Sequence, residues 1–270
     1  MAPVQSNALD HAVGHTDQLV ATIITSAIVV AGVIWTLLLC RREGIWWPLL
    51  VLISGCATFL CEPLFDHLYG LWFFSDGQWN AVTTYGIHVP IWLPIVYIFY
   101  YGVWTVWLVF RFQRGASLAT VAILFIASGV LAGFFETLYI QVFGLYEYQD
   151  SQPLAIADYP VWVAFVNGIP PFLAAIVYLR LVPVLRGWEN LALLFVVPIC
   201  FAAEFGTGWL YLAVRHGSED PSMLLLSILG PLTAFLCLGM VVLAARLAGV
   251  DREVPEAAAP EPVKREPVAA

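Results

Sequence analysis

Two glutamates lie inside long apolar segments, at matching places in two similar blocks of sequence. Glu62 precedes Gly70-Leu71, and Glu136 precedes Gly144-Leu145 at the same distance. An ionisable side chain in hydrocarbon costs at least about 2.5 kcal/mol, so such residues usually face a protein interior and mark a proton path, an ion site or a catalytic site. An energetically unfavourable residue that occurs twice in similar apolar segments therefore predicts a functional site.

The chemistry that two buried carboxyl groups can perform is acid–base catalysis. Burial favours the neutral form of a carboxyl group, which can then act as a general acid while a second carboxylate acts as the base. Aromatic ring faces stabilise a cation, and the chain has 11 Trp, 11 Tyr and 17 Phe. Such a chamber is suited to protonating a C=C bond or an epoxide during cyclisation, hydration or isomerisation of an isoprenoid. The expected partners are a lipophilic small-molecule substrate and membrane lipid.

Two further acidic residues complete the predicted catalytic set of Glu62, Glu136, Asp66 and Glu204. Asp66 lies four residues after Glu62 on the same helix face, and Pro63 between them removes a backbone donor. Glu204 lies somewhat deeper in a later apolar segment. The predicted substrate-binding residues are Asn167, His88, Trp92, Trp162, Tyr139 and Trp209.

Each of these assignments has a purely structural alternative. Glu62 and Glu136 can be held between helices by Trp or Tyr donors, without any catalytic role. His88 stands where a helix is expected to begin, and most Trp and Tyr residues are typical of the interfacial belt and of packing. For the two glutamates the functional interpretation is favoured, because passive retention of a buried acid is costly.

The elements that must position these residues are membrane-spanning helices. The chain is 61% hydrophobic and 11% charged, with a mean hydropathy of +0.86, far more apolar than an ordinary soluble domain. Seven apolar stretches of about 20 residues are long enough to cross the bilayer as helices. They cover 19–40, 46–68, 88–110, 118–142, 161–181, 191–214 and 223–245. The predicted fold is an all-α, seven-helix bundle of a multi-pass cell-membrane protein.

The distribution of basic residues predicts how this bundle is oriented. Of the 11 basic residues, only Arg215 falls on one side of the predicted helices. Short loops rich in Lys and Arg stay in the cytoplasm, which places the N-terminus outside and the C-terminus inside. Residues 1–17 form a polar N-terminal segment and 18–246 the transmembrane domain. The stretch 247–270 is rich in Ala, Pro and Glu and is predicted to be a disordered cytoplasmic tail.

An internal repeat organises the predicted bundle. A shift of 74 residues aligns Glu62 with Glu136, and a shift of 70 aligns Trp92 with Trp162. Two helix hairpins are therefore interpreted as copies of one unit. They run in the same direction, unlike the inverted repeats of many transporters. The units cover 46–115 and 118–186, with a weaker, degenerate third unit over 190–246.

One part of the second block also resembles a known family. The run from Glu136 through Phe143-Gly144-Leu145-Tyr146-Glu147-Tyr148 to Pro160-Val161-Trp162 resembles the Glu, FG-x-Y-x-Y, Pro, Trp progression of membrane carotenoid-biosynthesis proteins of the bisanhydrobacterioruberin hydratase type. The resemblance covers about two helices and implies that Glu136 is catalytic. The architecture is also similar to integral membrane terpene cyclases and small membrane lycopene cyclases, although the Pro-x-Glu-Glu motif expected of the latter is missing.

Missing residue types argue against several other classes. A retinal protein needs a Lys inside a helix, and the only Lys is Lys264. The five scattered histidines are too few for a di-iron oxygenase. Binding of Mg²⁺ and a prenyl diphosphate by Glu62 and Asp66 would leave only Arg215 to neutralise phosphate. The net charge of −8 argues against nucleic acid. We therefore expect no metal, cofactor or nucleic-acid partner.

A second hypothesis belongs to a different functional class. The same carboxylates can bind a proton, a cation or a small lipophilic ligand in a carrier or receptor without enzymatic activity. A cation carrier requires a polar route between both membrane faces, but the inner halves of the second, fourth and sixth predicted helices contain almost no ionisable groups. This one-sided distribution favours the enzyme.

Overall fold

The chain folds as a bundle of long apolar helices. The structure, a computed structural model, describes residues 11–149, 152–218 and 220–251. Six of its helices are long and apolar enough to cross a membrane, or seven if a bent pair over 47–69 is counted as one span. These helices confirm the predicted helix bundle of a multi-pass membrane protein.

Most of the described residues belong to helices. The α-helices are α1 (His15–Glu43), α2 (Trp47–Ala57), α3 (Glu62–Tyr69), α4 (Trp92–Tyr97), α5 (Trp104–Gln113), α6 (Leu118–Gln141), α7 (Val163–Asn167), α8 (Ile169–Leu181), α9 (Val196–Thr207), α10 (Trp209–Arg215) and α11 (Met223–Leu247). A π-helical segment, Ile98–Val103, joins α4 to α5. Segments of 3-10 helix cover Thr58–Leu60 and Gly187–Phe195. Several predicted spans therefore consist of shorter helical pieces.

The second predicted span is broken next to Glu62. The helix over Trp47–Leu60 and the helix α3 meet at an angle of 47°. Pro63 lies in the first turn of α3, where its missing N–H leaves no helical hydrogen bond unmade. The break places Glu62 at the start of a new helix instead of in the middle of a continuous one.

Short strands cap one end of the bundle, which we call the strand end. They are β1 (Leu71–Phe73), β2 (Asn80–Thr84), β3 (Ile87–Pro90), β4 (Tyr146–Tyr148), β5 (Ala155–Ile156) and β6 (Tyr159–Pro160). They form three antiparallel pairs, β1 with β4, β2 with β3 and β5 with β6. The prediction of a purely α-helical chain is therefore corrected at this end. The hairpins turn at Tyr85-Gly86 and Ala157-Asp158, where all four residues have positive φ, as two-residue turns of this kind require.

The pairing of β1 with β4 joins the two glutamate blocks. Leu71 pairs with Tyr148 and Phe73 with Tyr146, and the N–H of Phe74 donates to the carbonyl of Leu145 at 3.4 Å. A shift of 74 residues relates these two segments, so each pairs with its own counterpart. As a result, the helices that carry the two glutamates are each followed by one strand of the same antiparallel pair.

The start of the third span also differs from the prediction. α4 begins at Trp92, so His88 lies on β3 and not at the start of a helix. The hairpin of β2 and β3 takes up residues that apolar composition alone assigned to the span over 88–110. Most of the predicted N-terminal segment and of the predicted tail lies outside the described residues.

Close backbone contacts hold the helices around the glutamates. A Cβ atom on Gly55 of α2 would lie 2.6 Å from the backbone nitrogen of Gly102 in the π-helical segment. A Cβ on Gly133 of α6 would lie 3.3 Å from the ring of Tyr159, and one on Gly129 would lie 3.5 Å from the carbonyl of Ala164. Small residues allow such approach in membrane bundles, and their spacing in α6 turns Glu136 towards the interior.

The opposite end of the bundle, which we call the basic end, carries arginines in the last turns of four helices, one of which is α11 with Arg246. Arg41 and Arg42 lie in the last turn of α1, Arg111 in that of α5 and Arg180 in that of α8. Positive charge there stabilises the carbonyl ends of the helices. The two ends of the molecule therefore differ strongly in charge.

Candidate functional site

A cavity of about 340 Å³ lies between α1, α3, α4, the π-helical segment and α6, next to the strand end. Both predicted glutamates line it, together with the predicted binding residues Trp92, Tyr139 and Asn167. The rest of its lining is mainly aliphatic and aromatic. A small apolar cavity with a few converging polar groups is the usual form of a ligand site. We call it the glutamate cavity.

Glu62 is held in this cavity by a hydrogen bond from a tyrosine. Its side chain is only 4% exposed and accepts a hydrogen bond from the hydroxyl of Tyr97. Tyr97 is the last residue of α4, directly before the π-helical segment. Short π-helical turns inside membrane helices often accompany functional sites, because they re-aim the neighbouring side chains.

Glu136 is held by two donors from two other elements. Its carboxylate accepts a hydrogen bond from the hydroxyl of Tyr146 on β4 and another from Asn167 Nδ2, at 3.4 Å, at the end of α7. The Glu136 side chain remains partly exposed where it lines the cavity. The carboxyl group is therefore both positioned by the protein and accessible to a ligand.

The donors to the two glutamates stand at equivalent positions in the two blocks. The shift of 70 residues that aligns Trp92 with Trp162 also aligns Tyr97 with Asn167. Each of these two side chains donates to the glutamate of its own block. Two similar arrangements, each with a glutamate on one helix and a donor on the next, thus face the same cavity.

Sequence reasoning identified Asn167 but missed Tyr97 and Tyr146. The sequence feature that could have identified Tyr97 is its alignment with Asn167. The feature that could have identified Tyr146 is its place in the run Phe143-Gly144-Leu145-Tyr146. Neither feature singles out a residue in a chain with 11 tyrosines. Only the pairing of elements shows which hydroxyl reaches a carboxylate.

Aromatic rings form the wall opposite the aliphatic side chains. The ring of Trp92 stacks on Tyr139 with centroids 4.8 Å apart and on Tyr146 at 6.0 Å. The hydroxyl of Tyr139 is hydrogen-bonded to Thr25 at 2.5 Å, which fixes its ring. The faces of these rings carry negative electrostatic potential and can stabilise a nearby cation.

The glutamate cavity borders the membrane-facing surface between α1 and α6. Ile28 of α1, Phe99 of the π-helical segment and Leu131 of α6 all line it. Leu131 is 53% exposed, and the other two are partly exposed. Exposed apolar side chains on a membrane-spanning helix contact lipid, so the bilayer is the nearest apolar phase to this cavity.

Asp66 and Glu204 lie behind the cavity and not in its lining. Both are fully buried. The carboxyl group of Asp66 lies within hydrogen-bonding reach of that of Glu62, whereas the carboxyl oxygens of Glu204 have no hydrogen-bond partner among the described residues. Asp66 lies one turn after Glu62 on α3. The backbone carbonyl of Glu204 accepts a hydrogen bond of 3.0 Å from the hydroxyl of Tyr69 at the end of the same helix. Their predicted place in the catalytic set stays a prediction.

Three predicted binding residues lie away from the cavity. His88 is on β3, with its Nδ1 atom 3.1 Å from the hydroxyl of Thr83. Trp162 is buried against Tyr211, with ring centroids 4.2 Å apart, although its counterpart Trp92 lines the cavity. Trp209 is 59% exposed. The two blocks thus contribute unequally, because Tyr69 of α3, Tyr211 of α10 and Gly230 of α11 pack against the second tryptophan.

The fold and the site together define a multi-pass helical membrane protein with an internal, carboxyl-lined cavity. No protein-family model, curated protein or solved structure matches the chain. Within residues 11–149, 152–218 and 220–251, no three His, Cys, Asp or Glu side chains form a group suited to hold a metal ion. The side chains of the cavity are therefore the basis for a functional proposal.

The hydrogen bond from Tyr97 to Glu62 leads to a testable expectation. A hydrogen bond to a charged group contributes about 1.5–3 kcal/mol, and the Tyr97 hydroxyl would supply this to the carboxylate that remains when Glu62 has given up a proton. Tyr97→Phe, in which the ring still packs, is therefore expected to lower by about 10- to 100-fold any activity in which Glu62 donates a proton. The matched control is Tyr100→Phe, because Tyr100 lines the same cavity but its hydroxyl faces Ser128 at 3.5 Å. The readout of the function proposed below, taken per amount of folded protein, measures the difference. Equal readouts from the two variants would contradict a functional Tyr97–Glu62 pair.

Proposed function

We propose that the protein is an integral membrane enzyme that performs proton-initiated chemistry on an isoprenoid or another lipophilic substrate. Two carboxyl groups and a lining of aromatic rings are suited to terpene cyclisation, hydration and double-bond isomerisation. The observation that carries the proposal is the meeting of two carboxyl groups, from two related blocks, in one aromatic cavity. A reacting C=C bond or epoxide would lie between Glu62 and Glu136.

The two glutamates differ in ways that support different roles. Glu136 accepts hydrogen bonds from Tyr146 and Asn167, and such donors stabilise a carboxylate. Glu62 accepts one from Tyr97 and is almost inaccessible. We therefore assign the role of general acid to Glu62 and that of general base to Glu136.

The proposed cycle balances protons: cyclisation and isomerisation need no other reagent, and hydration consumes one water molecule. Glu62 donates its proton to one carbon of the double bond, a C–H bond forms from the π electrons, and a carbocation is left on the other carbon. The aromatic rings that line the cavity, Trp92 and Tyr139 among them, stabilise this cation electrostatically. Glu136 then removes a proton from a neighbouring carbon, or from a water molecule that adds to the cation. Transfer of a proton back to Glu62 restores the starting state.

The finer architecture in this proposal is a bundle of seven spans with duplicated helix hairpins and the N-terminus outside. Counting the bent pair over 47–69 as one span gives seven. Two findings support the duplication: β1 pairs with its counterpart β4, and Tyr97 and Asn167 donate to the glutamates of their own blocks. The two acids of the cycle would then derive from a single ancestral acid.

The position and size of the glutamate cavity support a substrate that comes from the bilayer. Its side wall contains the membrane-facing residues Ile28 and Leu131. Its volume of about 340 Å³ is near the lower end for small-molecule sites. One end of a long lipid would therefore occupy the cavity, while the rest of the molecule extends between α1 and α6 into the membrane.

Lipid extracts provide the direct test of this function. Cells that produce the wild-type protein are compared with cells that produce Glu136→Gln, at equal protein levels, by mass spectrometry of total lipid. A product present only with the wild type, with its precursor accumulating in the variant, is the expected result. Identical extracts combined with altered uptake of a proton or ligand would instead support the carrier or receptor and overturn the enzyme.

The membrane-facing wall leads to a second expectation about substrate access. Leu131→Trp adds bulk at the mouth of the cavity and is expected to lower product yield by about tenfold, which corresponds to about 1.4 kcal/mol. The matched control is Val130→Trp, because Val130 is 66% exposed on the same helix but does not line the cavity. Equal yields from both variants would argue against access between α1 and α6.

A further inference from the structure

A second cavity, of about 370 Å³, lies at the basic end between the last turns of α1 and α5. Three arginines line it, Arg42 from α1 and Arg111 and Arg114 from the end of α5. The remaining lining residues are apolar or aromatic. This cavity shares no lining residue with the glutamate cavity, so the proposed catalytic chemistry does not explain it.

The lining changes from apolar to basic along both helices. On α1, Trp35 and Leu38 precede Arg42, and on α5, Trp107 precedes Arg111. At a rise of 1.5 Å per residue, the arginines lie roughly 5–10 Å farther along the helices than these apolar side chains. Leu38 is 59% exposed and Trp35 37% exposed on the membrane-facing surface. A molecule in the bilayer can therefore reach both parts of the cavity.

The charges at this place are only partly neutralised by the protein. Arg42 forms an ion pair of 2.8 Å with Glu43, and Arg111 Nη1 donates to the carbonyl of Gly115 at 2.5 Å. The carbonyl ends of α1 and α5 add partial negative charge. Since a guanidinium group has five N–H donors, these contacts leave donors that can point into the cavity.

We propose that this cavity binds an anionic phospholipid. The headgroup phosphate lies among the three guanidinium groups, which bind phosphate through paired hydrogen bonds. The first part of the acyl chains lies against Trp35, Leu38 and Trp107. Basic pockets between membrane helices on the cytoplasmic side are suited to anionic headgroups. Free phosphate shares the headgroup chemistry, but only a lipid also covers the apolar half of the lining.

The test uses the purified full-length protein in a neutral detergent, with phosphatidylglycerol, phosphatidylcholine or inorganic phosphate added. Native mass spectrometry measures lipid binding, and thermal denaturation confirms that each variant is folded. The test variant is Arg42→Gln/Arg114→Gln, which keeps Arg111 and its contact to Gly115. The matched control is Arg41→Gln, because Arg41 is exposed at the same helix end but does not line the cavity.

The wild type and Arg41→Gln are expected to prefer phosphatidylglycerol over phosphatidylcholine, with no response to inorganic phosphate at the same concentration. The double variant is expected to bind phosphatidylglycerol about 30-fold more weakly, since each arginine near an anionic headgroup contributes about 1 kcal/mol. If the double variant does not fold, Arg114→Gln alone is measured, with about fivefold weaker binding expected. Unchanged lipid preference in the folded variant, or equal binding of inorganic phosphate, would overturn the proposal.

Discussion

Replacement of Glu62 or Glu136 by glutamine is expected to lower product formation by about 10²- to 10⁴-fold, the usual contribution of a general acid or base. Glutamine keeps the size of the side chain but cannot give or take the proton. Because both groups act on one substrate in one cycle, the double variant is expected to lose little more than the stronger single variant. Strictly additive losses would indicate that the two glutamates act independently.

The substrate for this measurement can be obtained from the variant itself. Cells with Glu136→Gln are expected to accumulate the precursor, so their lipid extract can be supplied to membranes that contain each protein. The matched control is Glu147→Gln, since Glu147 follows Tyr146 on β4 and points to the other face of the strand. Product formation by folded Glu62→Gln or Glu136→Gln at the level of this control would contradict the proposed mechanism.

Replacement of Gly55 by alanine is expected to destabilise the protein by about 1–3 kcal/mol, the usual cost of overpacking a well-packed core. The added Cβ would lie 2.6 Å from the backbone nitrogen of Gly102 and 2.9 Å from the carbonyl carbon of Tyr101. These are backbone atoms, so no side-chain rotation can relieve the contact, and α2 must move away from the π-helical segment. Activity is expected to fall as well, because Tyr97 directly precedes that segment.

Thermal denaturation in detergent measures this effect. The matched control is Gly239→Ala in the middle of α11, where an added Cβ has no described atom within 4 Å. Alanine has the higher helix propensity, so this control is expected to be at least as stable as the wild type. A Gly55→Ala variant with wild-type stability would show that α2 and the π-helical segment are not in backbone contact.

The membrane-spanning character of the chain could be predicted from local composition, because a bilayer imposes one length and one polarity on every span. The irregularities inside the spans could not be predicted in the same way. Pro63 pointed to a disturbance near Glu62, but the 47° bend depends on how α2 and α3 pack. His88 was assigned to a helix for its apolar neighbours, whereas pairing between Thr83 and His88 makes it part of a hairpin.

The structure brings only some of the predicted site residues together, for a similar reason. Glu62 and Glu136 were singled out because an acidic residue inside a long apolar segment is easily recognised in a sequence. Trp162 was predicted by its equivalence to Trp92, but α11 packs over it through Gly230, where an added Cβ would lie 3.0 Å from the indole ring. Two residues at equivalent sequence positions can have different neighbours in the folded protein. A short sequence motif contains no information about those neighbours.

The sequence by itself determined that this protein crosses the membrane several times, and it predicted that two carboxyl groups lie at matching depths in two similar segments. Hydropathy and the spacing of acids are local properties, so the chain shows them directly. The tertiary structure decided that the two carboxyl groups share one cavity, that Tyr97 and Tyr146 hold them, and that Asp66 and Glu204 lie behind it. Those outcomes depend on the pairing of β1 with β4 and on glycine contacts between helices, which are long-range interactions.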